Sequence, residues 1–462
     1  MKRIVWRWLA ISSLVWSSLA WSALSLQAET RPQYSGTLRV MMQAAPNSLD
    51  PANRDQPDSF ARRSLTALLF DKLIKIDESG HVQGALAQSW QATRENRMWL
   101  FHIRGGVTFD DGTPLSAESV AACLRFANPP WNVVAEKDSV VIELKSPDPE
   151  LPEELALPRN AIVKRDADQR VRGTGPFQIV EWAPGKNLRL SANENYWHGR
   201  PYLDAIEIEM GRDFREQVTA LEVGRADLVE IPAEQVRRVQ QQAHQLASSA
   251  KIELMALVFS ADVDSDKEKD LRDALGLSVE RGSIRNVLLQ GTGDASGGVL
   301  PTWMSGYGFI FPANANLEKA RQIRAQYRIV PTWTLGYDGS DVLARLVAER
   351  IALNGKDAGF SLQPTPSNHV DIHLARLALA SSDPWIALKE LAESLGKIDV
   401  QIKYGSIEEL YAAERDLLNS RRVIPLFHLP MTYAAGPKLK HWSLQPEGSW
   451  DVSDAWLENG IP

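Results

Sequence analysis

GVTFDDGTPLSAESV, residues 106–120, is the stretch that decides how this chain begins to fold. Before it, residues 99–103 alternate in the manner of a half-buried strand. The Asp-Gly-Thr-Pro sequence at 111–114 supplies the residues that tight turns favour. Ser116 is then a good N-cap, and Glu118 lies in the first turn of a predicted helix over 117–126. The stretch therefore predicts a strand, a turn and a capped helix in succession.

The same interleaving of strands and helices continues on both sides of this stretch, with no internal repeat. Such mixed order over about 430 residues predicts an α/β protein of two lobes. Apolar spacing predicts helices over 59–74, 213–223, 233–247, 267–290, 317–326, 340–354, 384–395 and 406–419. Strands are predicted at 37–43, 139–145, 177–182, 187–191, 204–210, 227–231, 252–260, 328–335, 360–363, 370–376, 423–428 and 431–435.

Composition narrows the classes of function. The 462 residues are 44% hydrophobic and 24% charged, which is typical of globular proteins, and the net charge is −7. Without a basic tract in the body of the chain, a nucleic-acid partner is not expected. The single cysteine, Cys123, excludes an intramolecular disulfide framework and any metal site built on several cysteines.

The first 28 residues read as a secretory signal peptide. Lys2, Arg3 and Arg7 precede an uncharged run over 8–26, and small residues around 23–28 offer a cleavage site. The alternative is an uncleaved anchor, because 19 apolar residues just span a bilayer. No cysteine stands at the end of the segment for lipid attachment. We therefore expect an acidic periplasmic protein that is not a lipoprotein.

The chain carries no sequence motif typical of hydrolases, metalloproteases or nucleotide-binding enzymes. His369 and His373 have the spacing of a helical metal site, but their surroundings indicate a strand entry, where the two side chains lie roughly 13 Å apart. Cys123 falls on the buried side of its predicted helix and reads as a small core residue. We therefore expect no enzyme activity, no metal site and no cofactor.

Five motifs in order resemble the extracellular solute-binding proteins of family 5, which deliver peptides, nickel and related solutes to ABC importers. Each motif alone is weak, but five in register are a strong signal, and the resemblance runs from about residue 36 to 458. They are GVTFDDGTPLSAESV at 106–120, SLDP at 48–51, GTGPF at 173–177 with NENYW at 193–197, LEVGRAD at 221–227, and VIPLFH at 423–428.

The resemblance implies a two-lobed periplasmic-binding-protein fold of type II, with an added subdomain in the first lobe. By this resemblance lobe I combines 33–56, 171–255 and 420–462, residues 57–170 form the subdomain, and lobe II is 256–419. The lobes are expected to close on a solute as other periplasmic binding proteins do. It also implies a monomer that binds a peptide or peptide-like solute and delivers it to a membrane ABC permease.

Two departures from the family bear on the solute. Peptide binders of the family carry an Asp in a Gly-Trp-x-x-Asp-x-x-Asp-Pro segment, which pairs with the ligand's α-amino group, whereas this chain has Ala380 there and keeps only Asp383-Pro384. Asp383 is also expected to cap the helix that follows. Strand 254–259 is almost wholly apolar. A sensor or chaperone that works without a permease is therefore the alternative function.

Eight residues are candidate ligand contacts. The resemblance points to Asp55 and Gln56 after the SLDP motif, and to Glu230 after LEVGRAD. Asp383 is the rival partner for a ligand amine. Four tryptophans near turns or strand ends offer aromatic walls for a solute; they are Trp131, Trp303, Trp333 and Trp385.

Overall fold

The computed structural model describes residues 32–458, except 54, 57, 78, 167–169, 243, 264 and 397–404. The predicted signal peptide lies outside the described residues. Within them, no helix is both long and apolar enough to cross a membrane. Two large sheets, with helices packed against them, organise the described chain.

The first sheet has seven strands and gathers segments from distant parts of the sequence. Its central strand, Thr37–Met41, runs parallel to both neighbours, and the other pairings are antiparallel. Helices Phe214–Glu222 and Val236–Gln241 accompany this sheet. Across the sheet the strands are Phe177–Ala183, Asn187–Ala192, Ala205–Glu209, Thr37–Met41, Leu228–Glu230, Thr432–Ala435 and Gln245–Ser248.

A subdomain is inserted between the first and second of these strands along the chain. It shares one apolar core with the seven-stranded sheet, and together they are called the first unit below. Its helices are Phe60–Leu69, Ala117–Ala127, Leu151–Leu155 and the 3₁₀ turn Pro158–Asn160. Its strands are Ala87–Thr93, Met98–Ile103, Ser139–Glu143 and Asn132–Glu136, with short pairs Ile74–Ile76/Val82–Gly84 and Lys164–Arg165/Val171–Arg172.

The turn and cap predicted from residues 106–120 are confirmed. The Asp111 carboxylate accepts hydrogen bonds from the Thr113 N–H at 3.0 Å and its hydroxyl at 2.6 Å. Gly112 has φ of +79°, a conformation that glycine adopts without strain. The Ser116 hydroxyl accepts from the Ser119 N–H, and the Ser119 hydroxyl accepts from the Ser116 N–H, which completes a capping box.

The second sheet has six strands and forms, with its helices, the second unit. Its central strand Glu253–Phe259 pairs antiparallel with both neighbours. Across the sheet the strands are Asp294–Ala295, Val423–Leu429, Glu253–Phe259, Ile372–Ala378, Thr332–Gly336 and Ser361–Thr365. The helices are Asp266–Ser278, Arg281–Val287, Thr302–Ser305, Leu317–Ala325, Val342–Asp357, Pro384–Ser394 and Ile407–Asn419.

The chain passes between the two sheets after Ser248 and again after Leu429. Strand Val423–Leu429 belongs to the six-stranded sheet, although the expected boundary at residue 420 places it in lobe I. The pairing thus puts the crossings near 250 and 430. The division into two lobes and a subdomain otherwise stays a prediction.

Three predicted helices are wrong in extent, and the first of them, 59–74, ends early, at Leu69, before strand Ile74–Ile76. The polar run 233–247 contains only the 3₁₀ turn Ala233–Gln235 and helix Val236–Gln241, because Gln245–Ser248 pairs as an edge strand with Thr432–Ala435, a partner distant in sequence. The run 267–290 is two helices rather than one. The break follows Ser278, where Val279 is buried and the Asn354 side chain accepts from the Glu280 N–H at 3.1 Å.

Candidate solute-binding cleft

The two units meet at a small cavity beside the second crossing. Its walls are lined from the first unit by Ile231, Pro232 and Ala233, and from the second by Asp341 and Arg376. The cavity measures about 30 Å³, room for about one or two water molecules. Any larger solute at this junction therefore requires the units to move apart.

Arg376 is the charged centre of this junction. From strand Ile372–Ala378 its guanidinium donates to the Glu253 carboxylate at 2.5 and 3.0 Å, and to Asp341 at 3.3 Å. Burial opposes the charge on Arg376, but the two carboxylates outweigh burial and raise its pKa above its ordinary value. Asp341 also caps helix Val342–Asp357, accepting from two backbone N–H groups. No sequence motif points to this cluster, because its members are far apart along the chain.

Glu230, a predicted ligand contact, lies close to this cluster and is buried. One of its carboxylate oxygens accepts from the Gln43 N–H at 2.6 Å and from the Gln217 amide at 3.2 Å. Burial raises the pKa of Glu230, while these hydrogen bonds and the Arg376 charge act in the opposite direction. The Gln43 amide in turn donates to the Ser340 hydroxyl of the second unit at 3.2 Å. Glu230 thus holds the end of the central strand beside the junction.

Asp55 and Gln56 lie in a loop that Arg62 organises. The Arg62 guanidinium donates to the backbone carbonyls of Gln56 at 2.7 Å, Asp50 at 2.9 Å and Asn53 at 2.5 Å. The Asp55 side chain is exposed. These hydrogen bonds fix the backbone at Asp50, Asn53 and Gln56, while Asp55 stays open to solvent.

The four candidate tryptophans do not come together. Trp333 is buried in the core of the second unit, edge-on to Phe259 and stacked on Phe360 with ring centroids 5.8 Å apart in each case. Trp385 is buried in a different apolar cluster, and Trp131 packs half-buried against the core of the first unit. Trp303 is 52% exposed. Of the four, Trp303 has the exposure that a wall for a solute needs.

The segment that carries Trp303 is fixed by Glu414, which is buried on helix Ile407–Asn419. One Glu414 oxygen accepts from the N–H groups of Val299 at 2.6 Å and Leu300 at 3.0 Å, and the other accepts from the Tyr307 hydroxyl at 2.6 Å. Burial raises the pKa of Glu414, against these three hydrogen bonds. This support is invisible in the sequence, because more than 100 residues separate the partners.

Asp383 caps helix Pro384–Ser394, as expected. Its carboxylate accepts from the N–H groups of Trp385 at 3.0 Å and Ile386 at 2.9 Å. Burial raises the pKa of Asp383 in spite of these hydrogen bonds. Ala380 is also buried, in a small apolar cluster with Ile386 and with Leu157 of the first unit. Ala380, which the resemblance predicts to occupy the amine-binding position, is therefore enclosed by aliphatic side chains.

Within the described ranges, no group of three or more His, Cys, Asp or Glu side chains is arranged to hold a metal ion. His373 lies on strand Ile372–Ala378, and His369 precedes that strand. The Cys123 thiol is buried, donates to the Ala161 carbonyl at 3.4 Å and accepts from the Val163 N–H at 3.3 Å. These contacts are those of a core cysteine.

Residues 81–370 match the family model described as bacterial extracellular solute-binding proteins, family 5 Middle. The nickel-binding protein NikA of Staphylococcus aureus is 26% identical over 236 residues, 48% of this chain and 48% of that protein. The oligopeptide-binding protein AppA of Bacillus subtilis is 25% identical over 300 residues, 58% of this chain and 54% of that protein. The matched region thus spans about half the length of these curated relatives.

Solved structures of other proteins match the fold of this chain over nearly its whole length. The crystal structure of S. aureus NikA in complex with Ni(L-His)2 has a TM-score of 0.81 at 20% identity, covering 91% of this chain and all of that one. A dipeptide-binding protein from Pseudoalteromonas sp. SM9913 in complex with Met-Leu has a TM-score of 0.82 at 16% identity, covering 92% of this chain and all of that one. The type II periplasmic-binding-protein fold is confirmed. Because the family model covers more than half of the sequence, the chain belongs to the bacterial extracellular solute-binding proteins of family 5.

Proposed function

We propose that this protein is a periplasmic binding protein of an ABC importer, which takes up a peptide or peptide-like solute between its two units and delivers it to a membrane permease. The family match carries this proposal. Relatives include the oligopeptide-binding protein AppA and the peptide transport periplasmic protein SapA of Salmonella typhimurium. Export through the N-terminal segment and a monomeric state are parts of the same proposal.

The mechanism is a hinge motion without a chemical step. Two segments, near 250 and 430, connect the units, and such paired crossings allow one unit to rotate against the other. The junction cavity of about 30 Å³ is far smaller than the 300–1,000 Å³ typical of ligand pockets. A solute therefore enters an open form, and contacts with both units favour the closed form. No catalytic role is assigned to any side chain.

The solute that fits this cleft has no free amine at the Ala380 end. A buried ammonium without a counter-charge costs several kcal/mol. Ala380 faces Leu157 and Ile386, and the Asp383 carboxylate is engaged with two backbone N–H groups. N-blocked or cyclic peptides, and other amphipathic molecules, meet this condition. The packing of Ala380 is the observation that carries this part of the proposal.

A calorimetric binding screen of peptide pairs, each with a free and an N-acetylated terminus, tests this preference. The wild-type protein is expected to bind the acetylated member more tightly. Ala380→Asp restores a carboxylate and is expected to shift the preference toward the peptide with a free amine. Ala380→Asn is the control, because asparagine is nearly the same size as aspartate but uncharged, and it is not expected to shift the preference. Tight binding of free peptides by the wild-type protein, lost on acetylation, contradicts the proposal.

A further inference from the structure

Four charged side chains join the two units at a second place, away from the junction cavity. Glu154, on helix Leu151–Leu155 of the first unit, accepts from Arg159 at 2.7 Å and from Lys389 of the second unit at 3.3 Å. Arg159 also contacts Glu390 of the second unit at 2.6 Å. The charges alternate in sign, from Lys389 through Glu154 and Arg159 to Glu390.

The network is well shielded from water for a set of ion pairs between two units. The exposed fractions of the side chains are 5% for Glu154, 20% for Arg159, 22% for Glu390 and 34% for Lys389. Shielding of this degree makes each missing partner costly. Exposed surface pairs contribute little to stability, so this network differs in kind from the surface pairs of the protein.

The neighbouring contacts fix where the network forms. Leu157, between Glu154 and Arg159 in sequence, packs on Ile386 of the second unit. Behind it the Asn160 amide donates to the Glu154 carbonyl at 2.6 Å and accepts from the Asn128 amide at 2.7 Å. The first-unit side of the network is thus built on a rigid turn, so that the charges are in place before the units meet.

Opening the cleft separates Glu154 and Arg159 of the first unit from Lys389 and Glu390 of the second, and the two pairs of residues lose different ion-pair partners. In the open form Arg159 keeps Glu154 as a partner, while Lys389 and Glu390 return to water. In the closed form a missing Glu390 leaves Arg159 with one carboxylate in a shielded site. Removing the Glu390 charge therefore penalises the closed form more than the open form.

We propose that Glu154, Arg159, Lys389 and Glu390 form an electrostatic clasp, which favours closure of the two units and fixes their relative position even without a solute. This inference goes beyond the proposed function and depends only on motion between the units. The distribution of open and closed forms, and not only affinity, is then set by residues outside the junction cavity.

Spin-label distance measurements on solute-free protein test the clasp. Labels on cysteines introduced at exposed Gln91 and Lys356 report the separation of the units. Glu390→Gln is expected to lower the closed-to-open ratio about tenfold, because Arg159 loses one of its two carboxylate partners in a shielded site, with little change in melting temperature. Glu143→Gln is the matched control, because it removes a carboxylate from the exposed Arg94–Glu143 pair.

The wild-type protein offers a second measurement that needs no substitution. Raising sodium chloride from 50 mM to 1 M is expected to increase the open fraction of the wild-type protein. The open fraction of the Glu390→Gln variant is expected to change less. Equal distance distributions in wild type and Glu390→Gln, or a wild-type distribution that ignores salt, overturn the proposal. Because no solute is present, failure here leaves the proposed function untouched.

Discussion

Replacing Arg376 with methionine tests whether the charges at the junction hold the second unit together. Methionine keeps much of the aliphatic stem and removes the guanidinium. Glu253 and Asp341, with side chains 9% and 5% exposed, then lose their common counter-charge. Arg376→Lys is the matched control, since it keeps a charge within reach of Glu253.

The size of the effect follows from the burial of these groups. Removing one partner of a buried ion pair costs about 3–5 kcal/mol. The Arg376 side chain is 29% exposed, so water reaches the site and we expect the lower end, about 3 kcal/mol of lost unfolding free energy.

Urea unfolding followed by tryptophan fluorescence measures this loss, because Trp333 lies in the core of the same unit. Arg376→Lys is expected to lose less than half as much. A loss below about 1 kcal/mol for Arg376→Met, the range of exposed pairs, would refute the reasoning.

Three further substitutions have defined outcomes. Burial, together with the nearby carboxylates, raises the pKa of Glu150 to about 7, so its ionisation lowers the stability of the protein as pH rises between about 4.5 and 7. After allowance for solvent screening, Glu150→Gln should stabilise the protein by about 1 kcal/mol at pH 8 and by nearly nothing at pH 4. Equal effects at both pH values on thermal unfolding would count against this. Glu414→Ala leaves two backbone N–H groups without their acceptor and should cost about 2–4 kcal/mol on urea unfolding, with a result under 1 kcal/mol showing that the segment relaxes. Asp55→Ala should weaken solute binding without a change in melting temperature. Glu230→Ala should weaken binding and also lower the melting temperature, since Glu230 is buried and hydrogen-bonded. Unchanged affinity in both variants would remove Asp55 and Glu230 from the binding site.

Local sequence patterns predict those parts of the fold that are determined by residues close together in the chain. The Ser116 cap and the Asp383 cap both appear where cap chemistry predicts them. The edge strand Gln245–Ser248 is different. Its short Gln-Leu-Ala-Ser sequence has no strand pattern, and only pairing with Thr432–Ala435, nearly 190 residues away, makes it a strand.

The candidate site divides in the same way. Motifs point to Asp383 and Glu230 as ligand contacts, which stays a prediction, and both lie near contacts between the units. Arg376 and Arg159 carried no signal, because an arginine becomes important here only through partners such as Glu253 or Glu390 that folding brings near. Trp333 has the residue type of a ligand wall, but Phe259 and Phe360 enclose it.

The solute that the protein carries when purified from its native host tests the central claim most directly. Mass spectrometry of the intact complex, followed by denaturation, gives the mass and number of the released molecules. We expect one small amphipathic or peptide-like molecule per chain, without a free amine at its buried end. A stoichiometric peptide with a free N-terminus contradicts the account of the Ala380 site, and a chain that carries and binds no solute contradicts the proposed function.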